Sequence, residues 1–217
     1  VINLQHQWSK GLVTSFNGIE TTLEKIMINS ELGHVKSVEE FNKEIIRQQE
    51  EAHGEYYCGI HDAIKKYMAD CNTYTELGTH QGGTASTALL CKPSSVRLVD
   101  IDTSRYKLFL QPLAEEYAEE NDIDLKVMEI SSLSMKSTAK TDMLMIDSLH
   151  HPTHMIQELR LHHSNTYKYI IAHDTSILHG KKDSRLYDCM QNFCLDYPWE
   201  IVERNEQNVG YTVLKRR

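Results

Sequence analysis

Two short segments carry most of the chemistry available to this sequence. IDSLHHPTH, residues 146–154, sets Asp147 three residues before His150, and IIAHDT, residues 170–175, sets His173 beside Asp174. Carboxylates and imidazoles that converge suit a divalent cation; oxygen ligands favour Mg²⁺, and imidazole shifts the preference towards Mn²⁺, Fe²⁺ or Zn²⁺. An imidazole with an ordinary pKa of about 6.5 is also matched to general-base work near neutral pH, which makes His150 the candidate base.

A third segment, TELGTHQGG at residues 75–83, starts from the carboxylate of Glu76 and then supplies Gly78, Gly82 and Gly83. The pattern is ExGxxxG. A dinucleotide fingerprint GxGxxG would need glycine where His80 stands, so the nicotinamide reading loses its main support. Gly78 can take a positive φ and bring the backbone close to a ligand, while Glu76 offers an acceptor to an ammonium group. Asp100, twenty-four residues after Glu76, can accept both hydroxyls of a ribose, with Asp102 as the alternative acid. The combination specifies a nucleoside bearing a cation rather than a pyrophosphate.

Elements that could position these groups follow from residue 73 onward. Short β-rich runs at residues 73–77, 96–101, 125–130, 142–147 and 167–174, most of them continuously apolar, alternate with helix-length segments, as expected for strands covered on both faces. Two further runs, WEIVERN at 199–205 and VGYTVLKR at 209–216, flank a short polar turn and read as a hairpin. The expected fold is α/β and doubly wound: a mostly parallel seven-stranded sheet closed by an antiparallel C-terminal hairpin strand. The first seventy residues read as two or three helices, with Tyr57, Ile60, Ile64 and Tyr67 on one apolar face. Residues 1–54 are therefore expected to form a helical cap, and residues 55–217 the ligand-binding domain.

Composition narrows the partners. The 217 residues carry 23 Lys and Arg against 31 Asp and Glu, and the formal charge of −8 argues against nucleic acid and acidic membranes as partners. No CxxC pair exists among the five cysteines, which read as reduced thiols, and no apolar run is long enough to span a membrane. A soluble, cytoplasmic protein is the expectation. The cap helices offer a surface for a homodimer.

The motif order resembles the class I S-adenosylmethionine-dependent methyltransferases over roughly residues 55–217: the ELGTHQGG loop, the acid of RLVDID, the polar EISS after the third strand, then TDMLMID and the terminal hairpin. The resemblance implies S-adenosylmethionine as cofactor, contacted by Glu76, Gly78 and Asp100, with Thr79, His80, Gly82 and Asp147 around it and Ser131 or Ser132 near its adenine. Within that superfamily the chain is similar to the metal-dependent O-methyltransferases. These include the catechol type and the branch acting on sugar and natural-product hydroxyls, to which the cephalosporin hydroxylase-like proteins belong. The catechol type has YDxVFLD with a basic residue three positions on, and TDMLMID with His150 reproduces that spacing. The later ligand pair falls on His173 and Asp174, so a divalent metal, Mg²⁺ by the resemblance, would be held by Asp147, His173 and Asp174. This sequence departs from the pattern at His173, where the family has a carboxylate.

The implied reaction is methyl transfer to a hydroxyl of a small acceptor such as a sugar, a natural product or a catechol-like molecule. Two other readings stand beside it: a non-methylating metalloenzyme with a two-His-one-carboxylate iron site, and a module that binds S-adenosylmethionine or a nucleoside without turnover. The other histidines read more plainly. His151 and His154 fall on the first turn of a helix that Pro152 starts, His162 and His163 near its C-terminus, and His80 and His179 in loops that could touch a ligand. Trp8, Tyr56 and Tyr57 read as core aromatics, with an aromatic lid as the sharper alternative.

Overall fold

A computed structural model describes residues 35–178 and 181–217 of the chain. Residues 1–34 of the expected cap, with Trp8, and His179 lie outside the described residues.

Helix α1, Val38–His53, begins where Ser37 caps it by accepting from the Glu40 amide at 3.2 Å, and ends at Gly54 with φ 91°. Its buried face, Val38, Phe41, Asn42 and Ile45, has the i, i+3, i+4, i+7 spacing that turns one stripe to a core. Helix α2, Gly59–Met68, buries Ile60, Ile64 and Tyr67; Tyr57, expected on the same face, precedes the helix instead. Both helices pack on α3, Gly83–Leu90, through a buried polar seam. Asn42 donates to Ser86 Oγ at 2.9 Å and Thr87 Oγ1 at 2.7 Å, and Thr87 Oγ1 lies 2.6 Å from His61 Nδ1. Burial with no charged partner lowers the His61 pKa to about 3, so this ring stays neutral in the fold.

Five parallel strands follow in sequence: β1 Thr73–Leu77, β2 Ser95–Asp100, β3 Asp124–Glu129, β4 Thr141–Ile146 and β5 Thr166–His173. Helices α4 Ser104–Phe109 and α5 Gln111–Glu120 join β2 to β3, and α6 Pro152–His162 joins β4 to β5. After β5 come a small hairpin, β6 Ile177–Leu178 and β7 Lys181–Lys182, then α7 Arg185–Asp196 and the strands β8 Trp199–Asn205 and β9 Tyr211–Arg216. The main sheet runs β3-β2-β1-β4-β5-β9-β8, with β9 antiparallel between β5 and β8. Seven strands, the doubly wound order and the antiparallel hairpin agree with the sequence expectation. Four of the five parallel strands are set one residue earlier or shorter than expected at their carboxyl ends. Each stops before the residue that turns into the crevice: Ile101, Ile130, Asp147 and Asp174.

Strand alternation supplies both faces. Tyr74, Met143, Met145, Ile171 and Val213 join one core under α1, α2, α3 and α5, while Leu77, Leu144, Ile146, Ile170 and Leu214 join the other under α6 and α7. Each such side chain, fully buried, contributes about 1.5–3 kcal/mol, enough to hold the strand ends in register. Strand order reverses between β1 and β4, because β1 leads outward to β2 and β3 while β4 leads to β5 on the other side. The loops leaving β1 and β4 therefore diverge and open a crevice at the carboxyl edge. Among the described residues no helix is long and apolar enough to cross a membrane.

Candidate functional site

The loop after β1 forms one half of the crevice and is shaped by backbone constraints. Gly78 has φ 91°, and a Cβ there would lie 2.2 Å from the Asp147 carbonyl oxygen, so only glycine lets the β1 and β4 loops touch. The Gly78 amide donates to Val99 O at 2.8 Å and the Asp147 amide to Leu77 O at 2.8 Å, extending the sheet pairing to this point. Gly82, φ 89°, starts α3, and a Cβ on it would meet Leu110 at 2.5 Å. His80 takes φ 47°, and although the residue is exposed, partial burial of its imidazole lowers the pKa below the ordinary value.

Glu76 is fully buried at the end of β1. Burial raises its pKa to about 8, even though Tyr74 donates to Oε2 at 2.5 Å and favours the charged form. Its Oε1 has no partner, and the buried Thr79 Oγ1 and Gln81 Oε1 nearby in the loop have none either. Three unsatisfied acceptor-capable oxygens in six residues are costly in isolation and are what a donor-rich ligand would complete.

Asp100 accepts the His80 amide at 2.7 Å on one oxygen and the Asp102 amide at 3.0 Å on the other. It shapes the loop and retains a lone pair on each oxygen for a ligand. Asp102, the alternative acid, accepts the Ser104 amide on Oδ1 at 2.9 Å at the start of α4. Two residues that the sequence reading passed over also edge this half: Ile101 is 76% exposed and Ile130 38% exposed, each directly after a strand. An isoleucine following a strand reads as part of that strand, which is why neither stood out.

The other half collects charge. Asp147, His173 and Asp174 offer ligand atoms within 4.8 Å of one another. His150 sits between the two carboxylates, with Nε2 3.0 Å from Asp147 Oδ1 and Nδ1 2.8 Å from Asp174 Oδ2. His173 Nδ1 is 3.4 Å from Asp147 Oδ1 and 3.6 Å from Asp174 Oδ1, and that last oxygen is buried without a hydrogen bond. Asp174 holds a left-handed φ of 57°, a strained setting for a residue with a Cβ.

Burial alone would neutralise these groups, but their mutual attraction wins. Burial lowers the pKa of His150, yet the hydrogen bonds to Asp147 and Asp174 raise it to about 10; for His173 burial is likewise outweighed, chiefly by the charges of Asp147 and Asp174, and its pKa is raised. Burial likewise favours protonated Asp147, and the two imidazoles overcome it and hold the carboxyl well below its usual range. Both ring nitrogens of His150 are committed to carboxylates, which leaves His173 as the one imidazole of the metal-capable group.

Aromatic rings close this half from the cap side. Tyr57 meets His173 edge-on with ring centroids 5.7 Å apart, and His53 stacks on Tyr57 at 4.2 Å. Asn208, in the β8–β9 turn, donates to the carbonyls of His53 and Glu55 at 3.0 and 3.1 Å and pins that segment. Tyr57 thus faces the cluster rather than the core, while Tyr56 is exposed.

The remaining expected residues separate. Ser132 is buried and donates to Glu158 Oε1 at 2.5 Å, whereas Ser131 precedes a short 3₁₀ turn at the crevice edge. His151 caps α6 by accepting the Thr153 amide at 3.3 Å, and His154 lies 3.2 Å from Glu158. His162 ends α6 as expected but is fully buried between the Thr138 amide and the Ser132 carbonyl. All five cysteines are free thiols. A groove of about 510 Å³ between β3 and α4–α5 contains neither the glycine loop nor the charged cluster; it is a surface cleft at the sheet edge, not this site.

No family model matches the sequence, and no curated protein matches it. Solved structures do. A putative caffeoyl-CoA O-methyltransferase from Staphylococcus aureus is similar with a TM-score of 0.59 at 13% identity, covering 84% of this chain and 93% of its own. An O-methyltransferase from Bacillus cereus in complex with SAH has a TM-score of 0.52 at 12% identity, over 82% and 90%. A putative SAM-dependent methyltransferase from Streptococcus mutans has 0.52 at 11% identity; the alignment covers 72% of this chain and spans about half, 48%, of that one. RNA and ribosomal-protein methylases are also among the similar structures. The fold is the Rossmann-like methyltransferase fold.

Proposed function

We propose that this protein is an S-adenosylmethionine-dependent methyltransferase that methylates a hydroxyl of a small acceptor, assisted by a divalent metal. One observation carries the reading: a metal-capable acid-imidazole cluster stands directly across the strand-order switch from a glycine loop with unsatisfied buried acceptors. The fold is shared with proteins whose names record both O-methylation and RNA or protein methylation. The choice of a hydroxyl acceptor rests on the cluster and not on the fold.

The residues fit the cofactor. Glu76 Oε1 is an unpaired buried acceptor for an ammonium group, Asp100 has lone pairs left for ribose hydroxyls, and Ile101 and Ile130 give apolar surface for a planar base. The loop contains no Lys or Arg to hold a pyrophosphate. When bound, S-adenosylmethionine supplies a methyl carbon made electrophilic by its sulfonium.

The cluster fits a metal by its donor set. Asp147, His173 and Asp174 would hold the ion, and the unpaired Asp174 Oδ1 is a ligand atom in waiting. A divalent cation lowers the pKa of a hydroxyl bound to it. His150 is the base that receives the acceptor's proton. While both carboxylates hold it, the imidazole keeps its own proton, so it serves as base only when those oxygens are engaged elsewhere. Tyr57 and His53 form the wall against which the acceptor lies, and Asn208 keeps that wall in place. Orientation of the acceptor oxygen contributes several kcal/mol without any further chemistry.

Incubation with labelled S-adenosylmethionine and a panel of sugars, catechols and hydroxylated metabolites tests the reading. Transfer to a hydroxyl, lost with a chelator and restored by Mg²⁺ or Mn²⁺, is the expected result. Transfer that ignores the chelator would remove the metal; transfer to RNA or protein alone would remove the small acceptor. Cofactor binding with no transfer to any acceptor would favour a binding module.

A further inference from the structure

We propose that Glu158 is a positioning residue for the cofactor crevice, tying the segment after β3 to the segment after β4 so that the two walls keep a fixed spacing. The inference rests on the cofactor reading above. Glu158 lies on α6, where a glutamate would ordinarily face water, yet it is completely buried. Its Oε1 accepts from Ser132 Oγ at 2.5 Å and from Ser148 Oγ at 2.7 Å, and its Oε2 lies 2.8 Å from the same Ser148 hydroxyl. His154, one turn earlier on the helix, brings Nε2 to 3.2 Å from Oε1.

The two serines belong to different walls. Ser132 follows β3, beside the exposed Ile130. Ser148 follows Asp147, whose carbonyl is the group that any side chain at Gly78 would strike. A single carboxylate therefore connects the loop that flanks the glycine turn with the loop on the far side of β1 and β2. One turn further along α6, His162 holds the β3–β4 connection alone: its Nδ1 accepts the Thr138 amide at 3.0 Å, so Nε2 carries the hydrogen and donates to Ser132 O at 3.1 Å. The helix itself is anchored by Met155 and Leu159 in the core, giving both loops a rigid reference.

A stability role alone would be served better by an apolar residue, because a buried carboxylate loses its hydration and well-packed hydrophobic replacements of such groups are often neutral or stabilising. The carboxylate has a specific geometric property that leucine lacks: it accepts from both walls at once.

The experiment compares SAH affinity by calorimetry, direct Mn²⁺ affinity and melting temperature in the wild type, Glu158→Gln, and the variants S132A, S148A and S132A/S148A. Gln keeps the size but points an amide at one of the hydroxyls. The expected result is SAH affinity weaker by about tenfold in E158Q, with Mn²⁺ affinity within about twofold, and a double serine variant whose loss is smaller than the two single losses combined. SAH affinity within about twofold of wild type in folded E158Q would overturn the proposal, as would equal weakening of SAH and Mn²⁺. Should E158Q fail to fold, additive losses in the serine variants would overturn it by themselves. A wild-type protein that binds no SAH would instead defeat the cofactor reading, and this inference with it.

Discussion

The two halves of the crevice are built on opposite principles. The half after β1 and β2 is shaped by backbone: Gly78 and Gly82 at positive φ, amides of His80 and Asp102 held by Asp100, and a buried Glu76 that no cation answers. The half after β4 and β5 is shaped by charge, with Asp147 and Asp174 each facing two imidazoles. The first half is short of donors; the second answers most of its own charge, with Asp174 Oδ1 left unpaired.

Gly78 is where the halves touch, so it is the place to break both. Gly78→Ala should cost more than about 3 kcal/mol and abolish SAH binding, because the new methyl collides with the Asp147 carbonyl and the positive φ is strained as well. Denaturant unfolding and calorimetry measure it; a variant of wild-type stability would show that the loops part easily.

Asp174→Ala should divide the halves. Methyl transfer is expected to fall by about a hundredfold or more while SAH affinity stays within about threefold, read from single-turnover rates beside calorimetry. Equal losses would mean that the cofactor leans on the charged half after all.

Glu76→Gln should give the smaller effect and the converse signature. SAH affinity is expected to weaken by about tenfold, with the maximal transfer rate at saturating cofactor little changed. Its pH dependence carries a sign. The folded pKa of about 8 lies above the ordinary 4.5, so the neutral acid is the form the fold favours. The associated stability is complete below about 4.5 and is lost as pH rises through 8. Ligand-free wild type should therefore lose stability across that window, on the order of a few kcal/mol from Glu76, and E76Q should lose less, keeping only the same-signed loss that His150 and His173 give both proteins. Parallel melting curves from pH 5 to 8.5 would show that Glu76 is hydrated.

Much of this was legible in the sequence, for identifiable reasons. Strands covered on both faces have no polar alternation, so their continuous apolar runs announced themselves, and the acids and glycines that follow them stood out by contrast. Asp147, His150, His173 and Asp174 were visible because their spacing after successive strands predicts convergence at one edge. What stayed hidden depends on neighbours distant in sequence. That His150 uses both nitrogens on carboxylates from two strands is a tertiary fact. Glu158 carries no local signal, since nothing near it in sequence says that two serines will surround it. Tyr57 was placed on the α2 face by periodicity, whereas the helix starts at Gly59 and leaves it free to turn towards His173.

The placement of β9 has a consequence in time rather than in space. The strand ending in His173 has β4 on one side and β9 on the other, with His173 opposite Tyr211. Residues 166–173 are made well before 211–216, so β5 waits as an open edge with its histidine exposed until the later hairpin arrives. The glycine loop, by contrast, lies between strands that are complete by residue 146. On a ribosome the glycine-loop half can take shape first, and the acid-imidazole cluster is finished only by nearly the last residues of the sheet.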